Sequence, residues 1–110
     1  MRFLISILLI FTFTASADDH AEEKAVLAAV DKYYTARTDR DFKTMVAMES
    51  EAGVCSTNSD GSFHKACVSY TAEDYAKNYP DGLNNVYFPE ATKLTNDAYL
   101  VRFYYEGVAG

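Results

Sequence analysis

Apolar residues recur at spacings of three and four over residues 21–37, AEEKAVLAAVDKYYTAR, and this periodicity predicts an amphipathic helix. Glu22 and Glu23 fall in its first turn, where the helix dipole favours negative charge. The pattern breaks at residues 38–40, so the helix is predicted to end there. One stripe of the helix is formed by Val26, Ala29, Val30, Tyr33 and Arg37, and Tyr34 lies beside it.

A second, shorter helix is predicted immediately after this break. Asp39 is placed to cap it, because aspartate at a helix start accepts a hydrogen bond from a free backbone N–H. Gly53 is predicted to mark its end. Its apolar positions are Phe42, Met45, Val46 and Met48.

A third helix is predicted in YTAEDYAKNYP, residues 70–80. Thr71 with Asp74 three residues later matches a capping box, and Tyr70 and Tyr75 are spaced for a hydrophobic staple. The following Pro80-Asp81-Gly82 is predicted to end the helix.

The other segments indicate strands. Residues 54–67, VCSTNSDGSFHKAC, predict a hairpin around Asp60-Gly61. Residues 83–94 predict a strand in which Pro89 requires a bulge or an edge, and Asn96-Asp97 predicts the next turn. Residues 98–108 then alternate, with Tyr99, Val101, Phe103 and Tyr105 on one face and Ala98, Leu100, Arg102, Tyr104 and Glu106 on the other.

The order of the elements predicts the fold class. Helices come first and long antiparallel strands later, which favours a single α+β domain with helices covering one face of a curved antiparallel sheet.

The first 17 residues indicate a secretory signal peptide. Arg2 supplies the positive start, residues 3–13 form a nearly unbroken apolar run, and Ala15-Ser16-Ala17 is a small-residue cleavage site. The run is too short for a spanning helix, which needs roughly 20 apolar residues. No cysteine follows the cleavage site, so a lipid anchor is not expected. We expect residues 18–110 to be exported, to a periplasm or outside the cell.

The net charge and the tyrosine content of the chain bear on which classes of molecule it can bind. The chain of 110 residues has a net charge of −6, and removing Arg2 leaves nine basic against 16 acidic side chains, or −7. An acidic domain repels the phosphate backbone of nucleic acid. No basic stripe or lysine-rich helix indicates binding to an anionic membrane either. All nine tyrosines lie beyond residue 17. Tyrosine suits the wall of a half-wet cavity, although a small domain also uses it at the boundary of its core.

Cys55 and Cys67 are the two cysteines of the chain, and an even count in an exported protein favours a disulfide. A tight turn at Asp60-Gly61 would set Cys55 opposite Ala66, whereas a looser turn would bring the two sulfurs into register. The spacing does not fit a CxxC redox motif, and no histidine pair completes a zinc site. We predict a structural bridge that contributes about 3 kcal/mol.

Residues 25–50, AVLAAVDKYYTARTDRDFKTMVAMES, resemble the opening of nuclear transport factor 2-like domains, in particular the SnoaL-like and ketosteroid isomerase-like branch. The likeness rests on a helix ending in an aromatic, a polar turn at 38–41 and Ala47-Met48 in the second helix. Residues 59–79 look like the family's hairpin and third helix, and residues 93–110 like its paired long strands.

The resemblance implies a cone-like curved antiparallel sheet packed on a long N-terminal helix plus two shorter helices, with a pocket at the open end. Family members bind small molecules or proteins, or catalyse isomerisation, cyclisation, hydration or hydrolysis, so the fold alone does not give the function. The family usually has two further strands after the position of Glu106. The domain is therefore expected to lack its last strands, which would leave a sheet edge open to pairing.

The resemblance also makes Tyr33 a candidate catalytic residue, because ketosteroid isomerases place an oxyanion-stabilising tyrosine there. The family's carboxylate base would fall at Thr57, which cannot act as a base, and its second acid belongs to a missing strand. Steroid isomerisation is therefore not expected. Tyr33 is predicted to be a mostly buried aromatic beneath the sheet.

We expect a pocket that binds a small hydrophobic or amphipathic molecule, without a cofactor and without assignable catalysis. Its predicted lining is Tyr33, Tyr99, Val101, Phe103 and Tyr105. One alternative is a pocket enzyme of isomerase, cyclase or hydrolase type with Tyr33 as proton donor. Another is a homodimer formed through the sheet, in which Arg102 and Glu106 lie on the shared surface or simply on a solvated face.

Cleavage after Ala17 would create one candidate metal site. The new terminus Asp18-Asp19-His20 offers an amine, two backbone amides and an imidazole, a square-planar nitrogen set that suits Cu(II) or Ni(II). A cut shifted by one residue would destroy this site.

Overall fold

The computed structural model describes the backbone of residues 2–56 and 66–110 and the side chains of residues 19–55 and 67–110. It confirms an α+β fold. The elements are α1 (Arg2–Thr38), α2 (Phe42–Ala47), β1 (Val54–Ser56), β2 (Ala66–Val68), α3 (Ala72–Asn78), β3 (Gly82–Thr95) and β4 (Ala98–Ala109). The strands form two antiparallel pairs, β1 with β2 and β3 with β4.

Contacts divide the chain into two compact units. Unit 1 combines Met1–Asp31 with Tyr87–Tyr104, and unit 2 combines Lys32–Val86 with Tyr105–Gly110. In unit 2, the buried side chains are Ala36, Phe42, Met45 and Tyr75. The rings of Phe42 and Tyr75 stack at 5.8 Å, so α2 and α3 are joined through this small core.

Helix α1 ends at Thr38, as the break in the pattern predicts, but it begins at Arg2 rather than at residue 21. The extension has a physical reason, since residues 2–20 contain no glycine or proline that would break a helix. In the part of the chain that the structure describes, no helix is long and apolar enough to cross a membrane.

Two predictions for α2 are wrong, its N-terminal cap and its last residue. Its cap is Asp41 rather than Asp39, because a cap must immediately precede the first helical residue, Phe42. The Asp41 carboxylate accepts hydrogen bonds from the Thr44 backbone N–H at 3.4 Å and from its hydroxyl at 2.7 Å. The helix ends at Ala47, and Gly53 instead lies at the entrance to β1 with a φ of +99°. A side chain there would meet the Val68 backbone at 2.7 Å.

Helix α3 begins as predicted. The Thr71 hydroxyl accepts from the Asp74 N–H at 3.1 Å, and the Asp74 carboxylate accepts from the Thr71 N–H at 2.9 Å, which completes the capping box. The rings of Tyr70 and Tyr75 lie 5.1 Å apart, as a hydrophobic staple requires. The helix ends at Asn78, before Pro80.

The hairpin β1–β2 pairs Cys55 directly with Cys67, and the two residues form a disulfide. Cys55 therefore lies opposite Cys67 rather than opposite Ala66. The predicted Asp60-Gly61 turn itself lies outside the described residues, as does Thr57.

The long hairpin β3–β4 turns at Asn96-Asp97, as predicted. Phe88, immediately before Pro89, has a φ of +52°, so the strand is distorted where the proline removes a hydrogen-bond donor. The predicted alternation is present in unit 1: Tyr99, Val101 and Phe103 are half-buried, and Leu100, Arg102 and Tyr104 are exposed. Tyr105 does not follow this alternation: it is predicted on the same face as Tyr99 but is 47% exposed.

Candidate functional site

The Glu49 carboxylate, just beyond α2, is the centre of the candidate site in unit 2. The Tyr33 hydroxyl donates a hydrogen bond to its Oε2 at 2.5 Å, and the Tyr75 hydroxyl donates to the same oxygen at 2.7 Å. One carboxylate oxygen therefore joins α1, α3 and the end of α2.

Local structure explains how these residues meet. Tyr33 lies three residues before buried Ala36 on α1, and Glu49 follows buried Met45 by four residues. Tyr75 is held at the start of α3 by its staple with Tyr70. The apolar core thus brings the three polar groups together at its margin.

Arg37 lies one turn after Tyr33, and it is surrounded by aromatic rings. Its guanidinium carbon lies 5.3 Å from the ring centre of Tyr33, 5.0 Å from that of Tyr34 and 4.8 Å from that of Tyr79. Such cation–π contacts stabilise a partly desolvated guanidinium. Arg37 Nη2 also donates to the Tyr33 hydroxyl at 3.5 Å, so one phenol links the cation to the carboxylate.

Burial and hydrogen bonding keep the phenols protonated. Desolvation, followed by the hydrogen bond to Glu49, raises the pKa of Tyr33 to about 12. The same two causes raise the pKa of Tyr75 far above its ordinary value. Burial also raises the pKa of Tyr34 and of Tyr79. At neutral pH these side chains are therefore hydrogen-bond donors rather than phenolates.

The arginine keeps its charge. Burial alone would lower the pKa of Arg37, but the neighbouring Tyr79 and Tyr33 outweigh it, and the pKa is raised. The cluster therefore combines one carboxylate, one fixed cation and neutral phenols. This combination can orient a polar ligand, and it can donate or accept a proton at Tyr33 or Glu49.

Two surface cavities lie beside the cluster in unit 2. One, of about 140 Å³, is lined by Val46, Glu49, Ser50, Glu51, Gly53, Ser69 and Tyr70. The other, of about 240 Å³, includes Tyr79, Asn84 and Tyr105 in its lining. The Tyr105 hydroxyl donates to the Asn84 side chain at 2.5 Å, and its ring lies 5.6 Å from that of Tyr34.

Tyr33 is half-buried, whereas the sequence predicts a mostly buried ring. The difference arises because its hydroxyl reaches a carboxylate at the margin of the core rather than its interior. Tyr105 belongs to the same unit and lines the larger cavity.

The other predicted lining residues, Tyr99, Val101 and Phe103, belong to unit 1. There the Tyr99 hydroxyl donates to Glu22 at 2.7 Å. Their role in lining a pocket stays a prediction.

Sequence reasoning misses Glu49 and the hydroxyl of Tyr75. A signal for Glu49 is present, since a spacing of four residues after Met45 would place both on one face if the helix continued. Tyr75 is recognised from the sequence only as a staple. Arg37 is placed on the stripe of the first helix, with Tyr33 and Tyr34 as local neighbours, but its contact with Tyr79 depends on how the end of α3 packs.

The remaining predicted site residues lie elsewhere. His20 is an exposed residue of α1, and no cluster of three potential metal ligands occurs among the described residues. The copper site depends on cleavage and stays a prediction. Arg102 forms an ion pair with Glu90 at 2.7 Å, and the Glu106 carboxylate accepts from the Asn85 side chain at 3.1 Å. Arg102 and Glu106 therefore each have a partner of their own on the neighbouring strand.

Comparison of the chain with family models, with curated proteins and with solved structures returned no match in any of the three.

Proposed function

We propose that this protein is an exported small-molecule-binding domain of the nuclear transport factor 2-like, SnoaL-like type, with a cone-like sheet and a binding site at the Glu49 cluster. The order of elements and the aromatic end of α1 support the family. The disulfide between Cys55 and Cys67 supports export, because such bonds persist in oxidising compartments.

The main support for a binding function is the arrangement of charged groups around Tyr33. A carboxylate and a guanidinium are joined only through the Tyr33 hydroxyl, at 2.5 Å and 3.5 Å, within a half-buried group of tyrosines. Small-molecule sites combine apolar and aromatic walls with a few convergent polar groups of this kind.

Binding is tested by ligand-observed NMR with a panel of small aromatic and aliphatic compounds that carry positive, negative or no charge. We expect Glu49→Gln and Tyr33→Phe to weaken the signals of bound compounds. Glu22→Gln is the matched control, because Glu22 also accepts from a tyrosine but lies exposed in unit 1. A panel without binders, or binding that Glu49→Gln leaves intact, would contradict this function.

A pocket enzyme is the second candidate, and the pairing of Tyr33 with Glu49 favours it. The carboxylate supplies the base that is lacking at Thr57, and the Tyr33 phenol supplies a proton donor. In such an enzyme, Tyr33→Phe abolishes turnover without abolishing binding. Loss of both together would instead indicate a binding role.

Dimerisation through the sheet is supported by an apolar surface in unit 1. Phe88, Leu94, Leu100 and Tyr104 are between 49% and 79% exposed. Phe88 and Tyr104 line one surface cavity together with Glu90 and Arg102, which form an ion pair. Apolar patches with a polar rim are typical of interfaces. In a two-fold pairing, the Glu90 of one copy can face Arg102 of the other.

This association is tested by sedimentation over a dilution series. Tyr104→Lys is expected to shift a dimer to monomer. Leu83→Lys is the control, because Leu83 is 53% exposed but belongs to unit 2. A protein that is monomeric at every concentration would exclude the dimer.

Export and the disulfide are tested together by intact mass of the protein recovered from outside the cytoplasm. We expect a mass that starts at Asp18 and a gain from alkylation only after reduction. Two free thiols before reduction, or retention of the first 17 residues, would contradict the prediction.

A further inference from the structure

Arg37 is a partly buried cation without a carboxylate partner. The ion pairs of the described residues use Arg40, Lys93 and Arg102 as their cations. Arg37 has instead a long hydrogen bond to the Tyr33 hydroxyl, and its Nε is buried without a hydrogen-bond partner. A partly buried charge is ordinarily paired, so this guanidinium retains an unused capacity to bind an anion. Because Nε is buried, an anion would have to be bound by the terminal nitrogens of the half-buried Arg37.

Glu49 does not fill that capacity. Its Oε2 accepts from both Tyr33 and Tyr75, and the Tyr33 hydroxyl stands between this oxygen and Arg37. The cation and the carboxylate are thus held near each other without forming an ion pair. An incoming anion would gain the direct contact with Arg37 that Glu49 lacks.

The surroundings of Arg37 define the class of anion. A guanidinium is a planar fork that matches a carboxylate, and it stacks on aromatic faces. Tyr79, whose ring lies 4.8 Å from the guanidinium carbon, also lines the cavity of about 240 Å³ that includes Tyr105. Glu49 nearby repels any anion, but it repels a doubly charged phosphate about twice as strongly as a singly charged carboxylate, so the single charge is favoured.

We propose that Arg37 anchors the carboxylate of a small organic acid whose planar apolar body lies along Tyr79 and Tyr105. This inference names the ligand class of the proposed binding function and rests on it. Arg37 makes the charged contact, and the tyrosines provide the apolar wall.

The test compares benzoate with benzamide by isothermal titration calorimetry, since the two share a ring and differ in charge. We expect benzoate to bind at least about tenfold more tightly, as a charge-assisted contact to arginine implies. Arg37→Gln should remove this preference. Arg37→Lys, which keeps the charge but loses the fork, should retain only part of it. Arg102→Gln is the matched control and should leave the preference unchanged.

Each outcome decides between the proposals. Equal binding of benzoate and benzamide overturns the carboxylate site while the binding function stands. A preference that Arg102→Gln reduces as much as Arg37→Gln also overturns it, because the effect is then one of net charge. If neither these compounds nor the wider panel bind, both the carboxylate site and the proposed binding function are contradicted. Circular dichroism of Arg37→Lys and Arg37→Gln establishes that each variant is folded.

Discussion

The two units contain the same three chemical groups in different surroundings. In unit 1, the Tyr99 hydroxyl donates to Glu22, and Lys93 contacts Glu22 directly at 3.0 Å. In unit 2, the Tyr33 hydroxyl donates to Glu49, but it also separates the carboxylate from Arg37. Each unit therefore holds a tyrosine, a glutamate and a cation. Lys93 and Glu22 form an ion pair in unit 1, whereas Arg37 and Glu49 form none in unit 2.

The two tyrosine–glutamate pairs also differ in burial, which changes the main cause of the pKa shift of each tyrosine. The hydrogen bond to Glu22 is the main cause that raises the pKa of Tyr99, whereas desolvation is the main cause at Tyr33. The hydrogen bonds from Tyr99 and Lys93 lower the pKa of Glu22, as expected of an exposed, satisfied carboxylate. Exposed pairs of this kind contribute little to stability, since water screens them. In unit 2, by contrast, Glu49 and Arg37 are both half-buried.

The largest expected effect concerns the core that supports the cluster. Tyr75→Ala removes a ring that is 8% exposed and stacked on Phe42, so we expect a loss of about 3–5 kcal/mol in the free energy of unfolding. Tyr104→Ala, at a ring 73% exposed in unit 1, should leave it nearly unchanged. Urea unfolding measures both. Equal losses would mean that Tyr75 does not organise a core.

The next effect compares the two carboxylates. Glu49→Gln replaces a charged acceptor of two phenol hydrogen bonds by a neutral one, and we expect a loss of about 1.5–3 kcal/mol. Glu22→Gln should leave the urea midpoint within the error of the measurement, because the Glu22 side chain is itself exposed to water. A larger shift for Glu22→Gln than for Glu49→Gln would reverse the comparison between the units.

The smallest effect is a dependence on alkaline pH. Because the pKa of Tyr33 is raised to about 12 from its ordinary 10, the unfolded chain releases this proton first as the pH rises. The contribution of Tyr33 is therefore complete below pH 10 and is lost between pH 10 and about 12. Tyr33→Phe should flatten the fall in stability over this range more than Tyr99→Phe does. Urea unfolding at several pH values measures both slopes, and identical slopes would contradict the desolvation of Tyr33.

Much of the fold follows from local signals in the sequence. The Thr71–Asp74 capping box, the end of α1 at Thr38 and the turn at Asn96-Asp97 each depend on residues a few positions apart. The misplaced cap of α2 shows the limit of such signals. Asp39 and Asp41 are equally good caps by type, and the choice depends on which residue first becomes helical, here Phe42.

The sequence by itself determined the fold class, the alternation of Tyr99, Val101 and Phe103, and the pattern on which export is expected, because periodicity and composition express these directly. Only the tertiary structure decided the site. Glu49 meets Tyr33 across 16 positions and Tyr75 across 26, and Arg37 gains Tyr79 from another helix. Such meetings depend on how α2 and α3 pack around Met45, and no local pattern encodes the distance between side chains that packing brings together.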